Sequence, residues 1–325
     1  MPLRGKFSAG PRITRWRYAP RGPGYDSMFT LAHLSDPHLA PLPAPRWSQL
    51  ASKRLFGFLN WQRKRRRVHQ RGTLDRVVAD LLAQSPDHIA LTGDLVNIAL
   101  PDEFAAARKW IAELGSPERV SIVPGNHDAY VPAALGHAAA SWGDYMRANE
   151  NTEPEWPFVR RRTGVALIGL STAIASPPLL ATGRLGTAQL ARSADLLTEL
   201  GGEGLFRVVL MHHPPESEPR RHRERLLDAI AFRNVLARAG AELVLHGHEH
   251  VHSVTWLDGP EGRIPAVGVP SASAAVGGHW QPAAYNLFRV SGTLKAWRCE
   301  MITRGFAPGS DRILELERRV LIRAA

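Results

Sequence analysis

The sequence predicts an α/β fold, and three observations carry that reading. Apolar runs rich in β-branched residues alternate with helical patterns as far as Leu245. Short strands separated by turns follow Val251, and five of the strand-like runs end in clusters of His, Asp and Asn. The first pattern indicates βαβ units with parallel strands, and the second indicates antiparallel pairing. In order, Phe29 to Leu34 is predicted as a strand, Leu74 to Leu82 as a helix and His88 to Leu91 as a strand. Asp102 to Leu114 is predicted as a helix stopped by Gly115, and Val120 to Val123 and Val165 to Leu170 as strands. A predicted helix over Ala188 to Leu200, a strand over Phe206 to Leu210, a helix over Arg223 to Ala239 and a strand over Glu242 to Leu245 complete the alternating part. The late strands are predicted over Val251 to Leu257, Arg263 to Val269, Tyr285 to Val290 and Leu294 to Met301.

The chain has 325 residues, 44% of them hydrophobic and 22% charged, which is globular composition for one large domain or two smaller ones. No linker of shifted composition divides it, so one domain is expected over residues 28–302. Residues 1–27 are expected to be a basic, disordered N-terminal extension and residues 303–325 a C-terminal tail. The single cysteine, Cys299, excludes an intramolecular disulfide and fits a reducing cytoplasm. The first 27 residues lack the apolar core of a signal peptide. The longest uncharged stretch, Gly164 to Gly183, contains Pro177-Pro178 and divides into a strand and a loop better than it forms a membrane span.

The formal charge of +11 is concentrated. Residues 46–71 hold nine basic residues and no acidic one, residues 1–27 add a net +5, and the remainder is −3. A mildly acidic body with two basic appendages argues against a nucleic-acid binder, which would carry its charge across a binding face.

The five strand-end clusters are Ser35-Asp36-Pro37-His38, Thr92-Gly93-Asp94, Gly125-Asn126-His127-Asp128, Met211-His212-His213-Pro214 and His246-Gly247-His248-Glu249-His250. Singly, several are weak, since an Asp before Pro or after Gly is an ordinary loop residue. Together, at strand ends where α/β sheets bind ligands, they would gather carboxylates, an amide and imidazoles into one cleft. Mixed nitrogen and oxygen donors of this kind suit Mn, Fe, Zn or Co better than Ca.

In order and without a missing member, this set resembles the calcineurin-like metallophosphoesterase superfamily, whose motifs run D-x-H, G-D, G-N-H-[DE], H and G-H-x-H. The resemblance implies a four-layer sandwich of two mixed β-sheets flanked by helices, and two divalent metal ions. Asp36, His38 and His250 would hold the first ion, Asn126, His212 and His248 the second, and Asp94 would bridge them. His127 would be the catalytic histidine, with Asp128, His213 and His246 as neighbours of the ligands. The chemistry implied is attack on phosphorus by a water activated between two metals, with His127 protonating the leaving oxygen. Gly183 to Leu190 and His212-His213-Pro214-Pro215 look like segments of the group acting on cyclic nucleotides and glycerophosphodiesters, so a small phosphodiester is the expected substrate.

Residues 41–72 are an insertion that the βαβ pattern does not need. Leu55, Phe58, Leu59 and Gln62 recur at helical spacing beside Arg63, Lys64, Arg65, Arg66 and Arg67. An interfacial helix on the inner face of a membrane, a cap offering arginine to phosphate, and a solvated basic face all fit this pattern. The first reading would make the protein a peripheral pyrophosphatase of a lipid-linked nucleotide such as UDP-diacylglucosamine. A different class, a nucleic-acid-binding protein using the basic segments, is the remaining alternative.

Overall fold

The computed structural model describes residues 28–149, 154–216, 221–293, 296–307 and 310–323. Its strands, in chain order, are β1 (Phe29–Leu34), β2 (His88–Leu91), β3 (Val120–Ile122), β4 (Phe158–Arg162), β5 (Val165–Gly169) and β6 (Phe206–Leu210). Then come β7 (Leu243–His246), β8 (Ser253–Gly259), β9 (Gly262–Gly268), β10 (Ala284–Ser291), β11 (Arg298–Phe306) and β12 (Ile313–Ile322). They form two six-stranded sheets, ordered β12-β11-β10-β1-β2-β3 and β4-β5-β6-β7-β9-β8. Both are mixed: β1, β2 and β3 run parallel, with Ala32 opposite Ile89, while β10 joins β1 antiparallel with Leu287 opposite Ala32. In the second sheet β5, β6, β7 and β9 run parallel, and β4 and β8 are antiparallel edges.

The period of two along each strand builds the layers. Phe206, Val208 and Leu210 of β6 and Leu31 of β1 meet in one core between the sheets. Val209, Ile168 and Val244 face outward instead, into a second core under α7 (Thr187–Gly202) and α8 (Ala229–Ala239). The outer face of the first sheet, with Ala32, Leu34 and Ile89, packs under three helices of the α1–α6 series. That series is α1 (Trp47–Leu50), α2 (Arg54–Asn60), α3 (Arg66–Val68), α4 (Arg71–Ala83), α5 (Pro101–Leu114) and α6 (Ala134–Trp142), with a π-helical stretch, Trp61–Arg65, between α2 and α3. The last three cover the sheet, so the layers run α/β/β/α, as expected.

Some elements differ from the sequence reading. Residues 303–325, expected as a tail, carry the end of β11 and all of β12. The edge position explains the misreading, because Glu315, Glu317, Arg318 and Arg319 give β12 the charge of an exposed, guarded edge. The helix predicted from Arg223 begins at Ala229. The carbonyls of Arg223 and Arg225 instead accept the backbone N–H groups of Ala181 and Gly183 (2.9 and 3.2 Å), and Glu224 O faces His248. β4 and α6 had no counterpart in the sequence reading. The N-terminal extension, 1–27, lies outside the described residues.

One polar clamp ties α4 to the antiparallel strands. Asp80 accepts two hydrogen bonds from Arg304 (2.8 and 2.9 Å) and one from Tyr285 (2.6 Å). Burial would raise the Asp80 carboxyl, but these donors hold it below its ordinary value. Its stabilisation is therefore present above the unfolded carboxyl's pKa, about 3.9, and is lost as pH falls through the folded value. Asp80→Asn should destabilise the fold by about 1–3 kcal/mol at pH 7. In urea unfolding its difference from wild type should shrink below about pH 4.

Candidate active site

The loops leaving β1, β2, β3, β6 and β7 meet where the carboxyl ends of the two sheets adjoin. The site is thus assembled from both sheets rather than from one edge of an open sheet. The first two loops are laced together by backbone bonds from Asp36 N to Gly93 O, His38 N to Asp94 O and Leu39 N to Leu95 O (2.9–3.0 Å). Asp128 completes the lacing, since its carboxylate accepts the N–H groups of Gly125 and Asp94 (2.9 Å each), Leu95 (3.0 Å) and Val96 (3.2 Å). Burial and the Asp94 charge push the Asp128 carboxyl up, and amides such as Gly125 and Val96 oppose that rise. Of the eight non-glycine residues described with positive φ, five are Asp36, His38, Asp94, His248 and His250. Such local strain persists where surrounding structure over-determines it. Gly125 and Gly247 are required for close approach: a Cβ on the first would enter the Asp94 carboxylate, and one on the second would strike Ser35 and Asp36.

The donor atoms converge in two groups that share Asp94. Asp36 Oδ1 lies 3.1 Å from His250 Nε2 and 3.8 Å from His38 Nε2, and those two nitrogens are 3.3 Å apart. Asp94 Oδ2 lies 3.7 Å from His38 Nε2 and 3.4 Å from His212 Nε2, which in turn is 3.1 Å from Asn126 Oδ1. His248 groups with Asp94 and His212, their ligand atoms within 4.8 Å of one another. Donors sharing a cation at about 2.0–2.2 Å stand about 3–4 Å apart, so these separations suit metal binding.

The outward-facing nitrogens supply a second test of fit. A carbonyl can only accept, so His38 Nδ1 donates to Val96 O (3.2 Å), His212 Nδ1 to Thr92 O (2.6 Å) and His248 Nε2 to Glu224 O (2.8 Å). Each contact leaves the other nitrogen's lone pair toward the cluster, the arrangement metal-binding imidazoles adopt. Burial pushes His248 down to about 3 and His38 well below its ordinary value. Asp94 and Asp36 are kept charged, their burial outweighed by His212 and His250 respectively. His212 is the exception: against burial, the Asp94 carboxylate pushes it up to about 9, a pairing a cation would replace.

His127 lies beside the donors. Its N–H bonds Asp94 Oδ1 (2.7 Å), its Nδ1 bonds the Asn97 carbonyl, and its Nε2 faces Arg65 Nη1 at 2.8 Å. Burial and the Arg65 charge push its pKa down to about 3. Asn97 is fixed in turn by Glu103, whose carboxylate accepts the N–H groups of Asn97, Ile98 and Leu100 at the start of α5. His213 uses both nitrogens elsewhere, on Thr172 Oγ1 (2.7 Å) and Ala181 O (3.0 Å), and His246 is buried beside Gly268.

One residue in the cleft, His69, has no place in the sequence reading, and another, Arg65, is named there only together with its basic neighbours. His69, held by Ser273 Oγ (2.9 Å) and stacked on Trp61, brings a ligand atom within 4.8 Å of those of His38 and His250. Its position comes from a bridge to Ala274 far along the chain, which no local pattern announces. Arg65 is grouped by the sequence with Arg63, Lys64, Arg66 and Arg67 as a membrane or substrate contact; the structure turns Arg65 inward and leaves the other four exposed.

The family model described as calcineurin-like phosphoesterase matches residues 29–252. The chain belongs to that family. It is 32% identical over 100 residues to the glycerophosphodiester phosphodiesterase GpdQ of Enterobacter lignolyticus, covering 30% of this chain and 29% of that protein. It is 30% identical over 178 residues to a probable cyclic nucleotide phosphodiesterase of Synechococcus, covering 54% of this chain and 62% of that one. The matches thus span less than two thirds of these curated relatives. Among solved structures, a dimetal phosphatase from Danio rerio superposes with TM-score 0.59 at 12% identity, over 91% of this chain and 99% of the other. A purple acid phosphatase from yellow lupin gives 0.55 at 13% identity, over 87% and 52%. At such identities these two neighbours support the calcineurin-like fold alone.

Proposed function

We propose that this family member is a metal-dependent phosphoric ester hydrolase that cleaves a phosphodiester. The observation supporting it best is the convergence of Asp36, His38, Asp94, Asn126, His212 and His250 at metal-ligand separations, with carbonyls fixing the tautomers of His38 and His212. Asp36, His38 and His250 would hold one cation, Asn126, His212 and His248 the other, and Asp94 both. Mn, Fe, Zn and Co all suit these donors. When bound, such a pair supplies charge to neutralise phosphoryl oxygens and lowers the pKa of a water toward 7. His127, its Nδ1 fixed on the Asn97 carbonyl, turns Nε2 to the cleft against Arg65; once Nε2 is protonated in place of that contact, it serves the leaving oxygen.

The choice of a diester rests on the names of the two curated relatives and on the Gly183–Leu190 segment. Gly183 packs directly on the His213 ring, so that segment frames the side of the cleft holding His212. Purified protein should hydrolyse bis-p-nitrophenyl phosphate only when divalent metal is supplied. A panel of cyclic AMP, glycerophosphodiesters, UDP-diacylglucosamine and single-stranded DNA would then rank substrate classes; no turnover with any metal would overturn the reading.

A second reading, for a lipid-linked substrate, rests on the outer face of the insertion. Trp47 is 86% exposed and Phe56 56%, with Leu55 and Leu59 also exposed beside Arg63, Lys64, Arg66 and Arg67. Among the described residues no helix is long and apolar enough to cross a membrane. Exposed apolar side chains and exposed basic residues in one insertion suit an anionic lipid surface, where each Lys or Arg contributes about 1 kcal/mol. Replacing those four basic residues by Gln should release the protein from anionic liposomes and spare hydrolysis of a small diester. Unchanged liposome binding would exclude this reading.

A further inference from the structure

We propose that Arg65 binds the phosphoryl group of the substrate, delivered to the metal cleft by the insertion rather than by either sheet. The proposal rests on the hydrolase reading above and assigns one more residue of that site. Arg65 Nη1 lies 2.8 Å from His127 Nε2, and Nη2 lies 2.8 Å from both ring nitrogens of His38. Its Nε is buried with no hydrogen-bond partner. A guanidinium carries five N–H donors and no acceptor, so a buried donor edge without an acceptor calls for an oxygen-rich anion. His38 has only one lone pair free of Val96, on the nitrogen that faces Asp36, Asp94 and His250. A cation using that lone pair leaves Nη2, like Nε, needing another acceptor. In a site that processes phosphate esters, the non-bridging phosphoryl oxygens match both the charge and the planar geometry.

The insertion holds Arg65 in place rather than merely allowing it to reach. Lys53 Nζ bonds Ser176 O (3.0 Å) and Leu180 O (3.2 Å) and sits 4.5 Å above the Tyr130 ring. Arg54 bonds Ile98 O (3.0 Å) and Ala99 O (2.6 Å). A Cβ on Gly57 would come within 2.6 Å of Ile98, so this turn seats directly on the loop after β2. On the far side of Arg65, Ala275 N bonds Val68 O (2.8 Å) and Gln70 N bonds Ser273 O (2.9 Å). The π-helical stretch that carries Arg65 is a form that recurs at functional positions.

The test compares wild type, Arg65→Ala and Arg65→Lys as full-length, metal-loaded protein. It measures metal content, competitive inhibition by inorganic phosphate, and hydrolysis of bis-p-nitrophenyl phosphate with and without added guanidinium. Both variants should keep the metal content of wild type. Arg65→Ala should weaken phosphate inhibition and lower kcat/KM by about 10- to 100-fold. Lysine, a point charge without the fork, should recover only part of this, and millimolar guanidinium should raise the activity of Arg65→Ala but not of wild type. Unchanged phosphate inhibition with metal retained overturns the proposal. Loss of metal from both variants also overturns it, making Arg65 a support of the metal ligands. Should wild type not hydrolyse the diester at all, the hydrolase reading fails, and calorimetry of inorganic phosphate on the same proteins still decides whether Arg65 binds the anion.

Discussion

Asp94→Ala should remove both metals and all measurable turnover. Asp94 Oδ2 is within 3.7 Å of His38 Nε2 and 3.4 Å of His212 Nε2, so one oxygen faces both ligand groups. Its other oxygen accepts the His127 N–H, and a Cβ at Gly125 would strike the same carboxylate. The substitution therefore deletes the carboxylate common to both donor groups and loosens the His127 backbone at once. Elemental analysis should find well under one metal per chain after dialysis, against about two for wild type. Asp94→Asn, which keeps the shape but not the charge, should retain intermediate occupancy. Two tightly held metals in Asp94→Ala would exclude the bridging role.

His127→Ala should keep both metals and lose turnover unequally across substrates. Proton donation to a leaving oxygen is worth roughly 10²- to 10⁴-fold, and it matters least for p-nitrophenolate, which leaves unprotonated. Alkyl diesters should therefore lose far more than bis-p-nitrophenyl phosphate. The structure specifies what an equal loss would mean. At rest Nε2 accepts from Arg65 Nη1, so an imidazole acting only as the acceptor that orients Arg65 would be missed alike by every leaving group. Loss of metal would instead make His127 a ligand.

The alternation of strands and helices and the polar strand ends could be read from the chain because both follow from local rules, whereas the four-layer sandwich and the ligand set were what the family resemblance implied. Val208 and Val209 separate into different cores by the period of two, and the polar residues after β1, β2, β3, β6 and β7 stand where sheets end. What was not legible depended on distant partners. β12 is a charged edge that only β11 makes into a strand. The start of α8 shifts because residues 223–225 bond the segment around Gly183 and His248. Within the insertion, periodicity marked Leu55, Phe58 and Leu59, yet it could not say which basic residue turns inward. That choice is made by contacts with Ile98, Tyr130, Ser176 and Ser273, all far away in sequence.

The division of the donor cluster between two sheets has a mechanical consequence. Asp36, His38, Asp94 and Asn126 hang from the first sheet, and His212, His248 and His250 from the second. Cations seated among them would rivet the seam of the sandwich, an ionic cross-link set above the apolar layer that Leu31, Val208 and Leu245 form below. Because the rivet holds only the assembled halves, its binding energy adds to their cohesion, by about 2.7 kcal/mol at a free metal concentration one hundred times the dissociation constant. Resistance to heat would then track the supply of metal, and starvation for it would open the two sheets along the line that carries the donor cluster.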